Sequence, residues 1–462
     1  MTSAIHHDGA TVGMFDGFSQ APGIMIEDVV IGIAKKCDPE VVELLARRHL
    51  NIAPEVRGQV TFDAQGAFNK LFKITTNAND DFFLLRATLP VDPFNKTNSE
   101  VATLQFVHKC TQIPVPRISA FNDSADNEPG FEWTLVEMLP GVSLREKWRF
   151  MSEEVKRGLV KAVAKYQAQL FDLRFSGIGN LFVDLKESHY LHPISLDQLH
   201  SQPASDVIDR DRMPAAGLET TKAEQKATQT PGQMYPALGR MQDVPRGPFA
   251  SSQDWIRARL ALVLADQERI ISAASSDEDD IEDAEEAKAL AHQLLVLLPH
   301  FFPSSSNQTQ SVENILVDND GKVTGVVDWE SVSAWPLWRA CTLPEFLKGR
   351  DRAQIPKVEE YSPDHDDPSN QGVDDLYWEH LLEYELTCLR ALFKTEMVSR
   401  APAWIEEMEK GELKADFDEA VQNCDNSWRT KKVKDWVLLQ IAINQGQISK
   451  DENWSLKETF FK

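Results

Sequence analysis

The apolar and polar positions fall into a readable order along the chain. The first 25 residues hold few large apolar side chains and read as a loose arm. Asp38-Pro39-Glu40 then opens VVELLARRHL, where Asp can cap and Pro can occupy the first turn, predicting a helix to about Leu50. From Val60 short apolar runs alternate with polar turns (VTF, DAQGAFN, KLFKITT, NANDD, FFLLRATL), the pattern of an antiparallel ribbon. A helical run begins at Ser99-Glu100, SEVATLQFVHKC. Pro114 and Pro116 then forbid a helix and force an extended, edge-type segment, and FEWTLVEMLPG reads as a buried strand. In the next helical stretch Leu159, Val163, Tyr166, Leu170 and Leu173 recur at helical spacing as a core stripe. Residues 201–247 lose apolar content and gather Pro, Gly, Thr and Gln, as a long insertion does. Helical order resumes after Ser251 and Ser252, both cap candidates.

Apolar runs Ile315 to Val317 and Val323 to Val327 flank Asn319-Asp320-Gly321, whose residues supply the positive φ of a tight reversal. The stretch predicts a hairpin between Asn314 and Asp328. With the register centred on Gly321, Ile315 faces Val327 and Asn314 faces Asp328, their Cβ atoms roughly 4.5 to 5.5 Å apart. The last 90 or so residues, rich in Trp and Glu, read as helices.

Length and charge narrow the classes. A chain of 462 residues, 42% hydrophobic, has room for two domains or one two-lobed fold. A net charge of −24 argues against nucleic acid and anionic membranes as partners. Five cysteines without CxxC spacing suit neither a disulfide framework nor a zinc site. The N-terminal residues lack a secretory pattern and no apolar run approaches membrane-spanning length, so a soluble cytoplasmic protein is expected. The acidic run 277–286 lacks calcium-loop spacing and reads as a solvated loop opening a helix. Adjacent Asp364, His365 and Asp366 cannot all point at one ion, and His6 and His7 are assigned no function.

Two stretches carry candidate chemistry. The amides of a glycine turn between strands, here Gly66, can cradle phosphate oxygens. The carboxamide of Asn314 and the carboxylate of Asp328 suit Mg²⁺, a hard ion that shares its coordination with phosphate and water.

The segment NILVDNDGKVTGVVDWESVSAWPLW resembles the metal-binding half of the aminoglycoside phosphotransferase and choline kinase family, particularly its fungal members. The resemblance implies an α+β, bilobal, protein kinase-like fold. Its small antiparallel sheet lobe would span 26–138 and its larger helical lobe 139–462, with the catalytic and metal hairpin at 307–329. QGAFN resembles the nucleotide-covering loop, which nominates Gly66, Ala67, Phe68 and Asn69. Arg86 stands where the wider family usually has Lys, Glu100 stands where a helix carboxylate holds that cation, and backbone groups of Glu137 and Met138 would meet the adenine edge. ATP, Mg²⁺ and a small-molecule substrate follow from the resemblance, as do Asn314 and Asp328 as metal ligands; no protein partner does.

The resemblance breaks at one place. The family pattern is His, any residue, Asp, Leu, Ser or His, two residues, then Asn, with the Asp as catalytic base. Here those positions hold Asn307, Thr309, Gln310 and Ser311. Three readings follow: a phosphotransferase slowed by loss of its base, a non-catalytic kinase-like binding protein, or a fold turned to another reaction on a small molecule.

Overall fold

The structure is a computed structural model that describes residues 38–52, 58–66, 69–76, 81–88, 93–175, 177–183, 249–273, 277–303, 308–309, 315–330, 332–363 and 370–460. The expected arm at 1–25, the expected insertion at 201–247 and the Asp364-His365-Asp366 stretch lie outside them.

Helix α1 (Pro39–His49) starts where its cap chemistry predicts. The Asp38 carboxylate accepts the Glu40 N–H at 2.9 Å, and Arg47, Arg48 and His49 meet the negative end of the helix dipole. Val42, Leu45 and Ala46 bury against a five-stranded antiparallel sheet. Its strands β1 (Gly58–Gln65), β2 (Asn69–Thr76), β3 (Asp81–Thr88), β4 (Ile118–Asn122) and β5 (Glu132–Glu137) lie in the order β1-β2-β3-β5-β4. The segment after the two prolines thus becomes an edge strand, as expected. Phe72, Ile74, Leu85, Ala87, Trp133 and Leu135 form the core of this lobe. The period-two alternation of β3 places Arg86, between Leu85 and Ala87, on the opposite face.

Helix α2 (Asn95–Cys110) packs against β4 and β5. It begins four residues before the expected start at Ser99. Its N-cap, Phe94, has φ 68° and no side-chain cap of its own. Glu132 of β5 supplies the cap, accepting the Phe94 N–H at 2.9 Å and the Thr97 hydroxyl at 2.5 Å. A cap delivered from another strand leaves no local signature in the sequence.

The larger lobe begins with β6 (Val142–Ser143), α3 (Leu144–Lys147) and α4 (Glu153–Asp172). The helix that carries the expected stripe starts at Glu153, because Ser152 accepts the Val155 N–H at 3.3 Å. Leu159, Val163 and Leu170 are buried as expected, whereas Leu173 falls just past the helix. Helices α5 (Ser252–Ser272) and α6 (Glu278–Phe301) follow, with Ser251 capping the first. The acidic run is helix rather than loop: Asp277 caps α6, and Glu278, Asp279 and Asp280 fill its first turn, where the dipole favours negative charge.

Short strand β7 (Gln308–Thr309) pairs with β10 (Trp335–Pro336), while β8 (Ile315–Val317) and β9 (Val323–Val326) complete a small sheet with β6. Helices α7 (Leu337–Ala340), α8 (Asp375–Arg400), α9 (Pro402–Asn423), α10 (Thr430–Asn444) and α11 (Leu456–Phe460) close the lobe. One core joins α4 and α8 to the hairpin through Val163, Phe393, Val317 and Trp329. A second joins α5, α6, α9 and α10 around Leu294, Phe417, Trp436 and Trp338. Among the described residues no helix is long and apolar enough to cross a membrane.

Candidate functional site

The hairpin positions the site. Its turn is built by Asp318, whose carboxylate accepts the Asp320 and Lys322 N–H groups at 3.0 and 2.9 Å. Gly321 has φ +76°, and a Cβ there would lie 2.1 Å from a Val155 methyl, so only glycine serves. The register differs from expectation by one residue. Ile315 pairs with Val326, not Val327, because the turn centres on Asp320 rather than Gly321, as Val317↔Val323 shows, and the bulge between that pair and Leu316↔Gly325 recovers only part of the shift. β9 therefore ends before Asp328. The expected opposition of Asn314 and Asp328 is not part of the described structure, since Asn314 lies outside it.

Asp328 follows the strand in the left-handed conformation, φ 63°, which Asp tolerates better than most residues. The next residue anchors the turn: Trp329 is buried and its indole N–H donates to Val326 O at 3.0 Å. Asp328 and Glu330 are thereby both carried to Arg86.

Arg86 is the centre of the cluster. Its guanidinium pairs with Glu100 of α2 and with Glu330, and Nη2 lies 3.7 Å from Asp328 Oδ1. Lys96, in the first turn of α2, reaches Glu330 at 2.6 Å. Asn69 donates to the same carboxylate at 2.8 Å. Burial alone would lower the Arg86 pKa, but Glu100, Glu330 and Asp328 carry it above its ordinary value. Burial raises the Glu100 pKa against the pull of Arg86 and Lys96. Burial and the charge of Glu330 raise that of Asp328. Glu330 is held below the usual range despite burial, by Arg86 and Lys96. Attraction in such a cluster does little more than offset the cost of taking its charges out of water, so stability is a weak reason for its existence. Perturbed carboxylates around a fixed cation point to function.

Of the residues nominated from sequence, Arg86, Glu100, Asp328 and Asn69 are brought together. Ala67, Phe68 and Asn307 lie outside the described residues. Gly66 is exposed, its N–H donating to Asn69 O at 2.9 Å, and no described atom lies within 4 Å of where a Cβ would stand. Thr309 pairs in register with Trp335. The hinge expectation, which named only backbone groups of Glu137 and Met138, narrows to their carbonyls. Glu137 N–H donates to Arg117 O and Met138 N–H to Phe82 O, both at 3.0 Å, so a contact through these residues would use their carbonyls. Lys96 and Glu330 were missed. Their signals were a lysine four residues before Glu100 and a carboxylate two residues after Asp328.

A hard carboxylate oxygen such as that of Asp328 fits Mg²⁺. Among the described residues no group of three His, Cys, Asp or Glu side chains could hold a metal by itself, so Asp328 would need ligands from outside that set.

Residues 59–338 match the family model described as the phosphotransferase enzyme family. A subtelomeric hrmA-associated cluster protein of Aspergillus fumigatus is 24% identical over 340 residues, covering 68% of this chain and 64% of that protein. This chain thus spans a little under two thirds of that relative's length. Altered inheritance of mitochondria protein 9, mitochondrial, of Clavispora lusitaniae is 24% identical over 442 residues, covering 86% of this chain and 67% of that protein. Among solved structures, aminoglycoside phosphotransferase APH(4)-Ia aligns with a TM-score of 0.39 at 13% identity, covering 88% of this chain and 99% of that one. An ethanolamine kinase of Plasmodium vivax aligns with a TM-score of 0.35 at 12% identity, covering 88% and 90%.

Proposed function

The chain belongs to the phosphotransferase enzyme family, with a two-lobed, protein kinase-like fold, and on that premise we propose that it binds Mg-ATP between its lobes and transfers the γ-phosphoryl group slowly to a small-molecule hydroxyl. The observation that carries this reading is Arg86 held between Glu100 of α2 and the Asp328–Glu330 segment. A cation fixed by a helix carboxylate is what such enzymes direct at the α and β phosphates, and a guanidinium fork suits phosphate oxygens. No described atom crowds Gly66, which suits a close approach of phosphate to its backbone. Asp328, with Asn314 by resemblance, would hold Mg²⁺, which when bound neutralises charge on the transferring phosphates.

The slow step follows from Thr309, whose hydroxyl cannot accept a proton at neutral pH as a carboxylate does. Loss of that base and orienter costs roughly 10²- to 10⁴-fold in rate. The same residue favours a second reading, nucleotide binding without turnover.

Unfolding followed at increasing ATP, with and without Mg²⁺, and then an ATP-turnover assay test both. Mg²⁺-dependent stabilisation is expected, with turnover well below roughly 1 to 100 per second. Thr309→Asp should raise turnover. Ordinary kinase rates in the wild type would place the base elsewhere, and no stabilisation at any nucleotide concentration would sink the proposal.

A further inference from the structure

Three donors from three separate elements converge on one oxygen of Glu330: Asn69 Nδ2 from β2 at 2.8 Å, Lys96 Nζ from α2 at 2.6 Å, and Arg86 Nη2 from β3. The donors all belong to the sheet lobe and the acceptor to the helical lobe. The carboxamide of Asn69 is oriented for this. Its oxygen accepts from Thr88 Oγ1 and Lys96 Nζ, both at 3.2 Å, which turns its NH₂ group toward Glu330.

Lys96 is the residue that local physics does not explain. It stands in the first turn of α2, where the helix dipole disfavours a cation, and no acidic residue shares that turn. Its side chain is only 7% exposed. A buried ammonium at the positive end of a helix requires an anion in front of it, and Glu330 is that anion. Charge-assisted N–H donors meeting on one partly dehydrated oxygen are also how proteins grip phosphate. With Glu330 in place the two cations, Arg86 and Lys96, face three carboxylates, Glu100, Asp328 and Glu330. That surplus of one negative charge repels an incoming phosphate.

We propose that Asn69, Arg86 and Lys96 form one phosphate cradle, with Lys96 as a second phosphate-binding cation, and that the Glu330 carboxylate is its internal counter-anion, exchanged for a phosphate oxygen as nucleotide enters. The inference rests on the nucleotide reading above and adds to it a residue and a displacement. The exchange keeps Lys96 paired throughout, so no buried charge is left uncompensated on either side of it.

The test is ADP titration of the full chain, with and without Mg²⁺, in the wild type and in three variants. Glu330→Gln keeps size and removes the competing charge, so Mg²⁺-free ADP should bind about tenfold tighter or more. Lys96→Met should weaken ADP about tenfold or more, while Lys96→Arg stays within a few-fold of wild type. Unchanged or weaker Mg²⁺-free binding in Glu330→Gln overturns the inference, as does wild-type affinity in Lys96→Met. A loss confined to titrations containing Mg²⁺ would make Glu330 a metal ligand instead and overturns it too. Should Lys96→Met fail to fold, Glu330→Gln decides alone. Wild-type binding with a silent Glu330→Gln removes only the cradle; no ADP binding by any of the four proteins removes the nucleotide reading and this inference together.

Discussion

Arg86 with Glu100, Asp328 and Glu330 in the cleft, and Asp418 with Arg259 and Arg339 among the helices, are two clusters made of the same groups in opposite proportion. In the helical cluster one carboxylate from α9 serves two guanidiniums from α5 and α7. Both lie over indole rings, Arg259 over Trp255 at 4.8 Å and Arg339 over Trp335 at 4.7 Å. Charge there is braced by aromatic packing, against Trp255 and Trp335 of one helical core. In the cleft the carboxylates outnumber the cations and the members come from both lobes. The surplus negative charge of the cleft includes the half-exposed Asp328 and is open to a ligand, whereas the surplus positive charge of the helical cluster is stacked on tryptophan. The contrast separates an ion cluster that holds the fold from one that the fold holds ready.

The largest expected effect tests the structural side. Burial pulls the Arg339 pKa down and Asp418 opposes that pull, so Asp418→Ala should leave two neighbouring guanidiniums in mutual repulsion. Stability should fall by about 4 kcal/mol in urea denaturation. ADP affinity of the folded protein should not change. A parallel loss of ADP affinity would mean the two clusters are not separable.

The next effect sharpens the cleft side. Glu132 holds the first turn of α2, which presents Lys96, and burial pushes its carboxyl up to about 7. A carboxyl raised in the folded state contributes stability below its unfolded pKa, near 4.5, and loses it as pH rises through the folded value. Between those limits the loss amounts to about 3 kcal/mol at most. Glu132→Gln should flatten this part of the stability curve. Superimposable pH curves for the two proteins would show that the Glu132 carboxyl is not held in this way.

These clusters also mark where the sequence was legible. The hairpin was, because Asn319-Asp320-Gly321 is turn chemistry that acts locally; its register was not, because the same three residues allow a turn centred on Asp320 and the bulge at Leu316 and Val317 then shifts the outer partners by one. Arg86 and Glu100 could be placed because the family resemblance expects a cation on a strand and a carboxylate on the helix after it, and the order of elements matches. Lys96 could not, because the start of α2 depends on Glu132 across the lobe rather than on a neighbouring cap residue. The acidic run is solvated and opens a helix as expected, but it lies inside the helix rather than before it, because its charge stabilises the first turn of α6. Local chemistry is written in neighbouring residues, and what depends on a partner in another strand or lobe is not.

The smallest expected effect on stability is at Asp328, and there it separates ligand binding from folding most cleanly. Its side chain is 48% exposed, and Arg86, 3.7 Å away, is already paired with Glu100 and Glu330. Removing its charge therefore relieves repulsion from Glu330 about as much as it forfeits attraction to Arg86, and solvent screens both. The backbone sets the choice of substitute. At φ 63° alanine would add strain of its own, whereas asparagine tolerates the left-handed region. Asp328→Asn should thus unfold within about 1 kcal/mol of the wild type when no nucleotide is added. With ADP the difference that Mg²⁺ makes to stability should vanish, because a carboxamide is a far weaker ligand for a hard cation than a carboxylate. A large loss of stability without nucleotide would make Asp328 a structural member of its cluster, like Asp418, and would erase the contrast between the two.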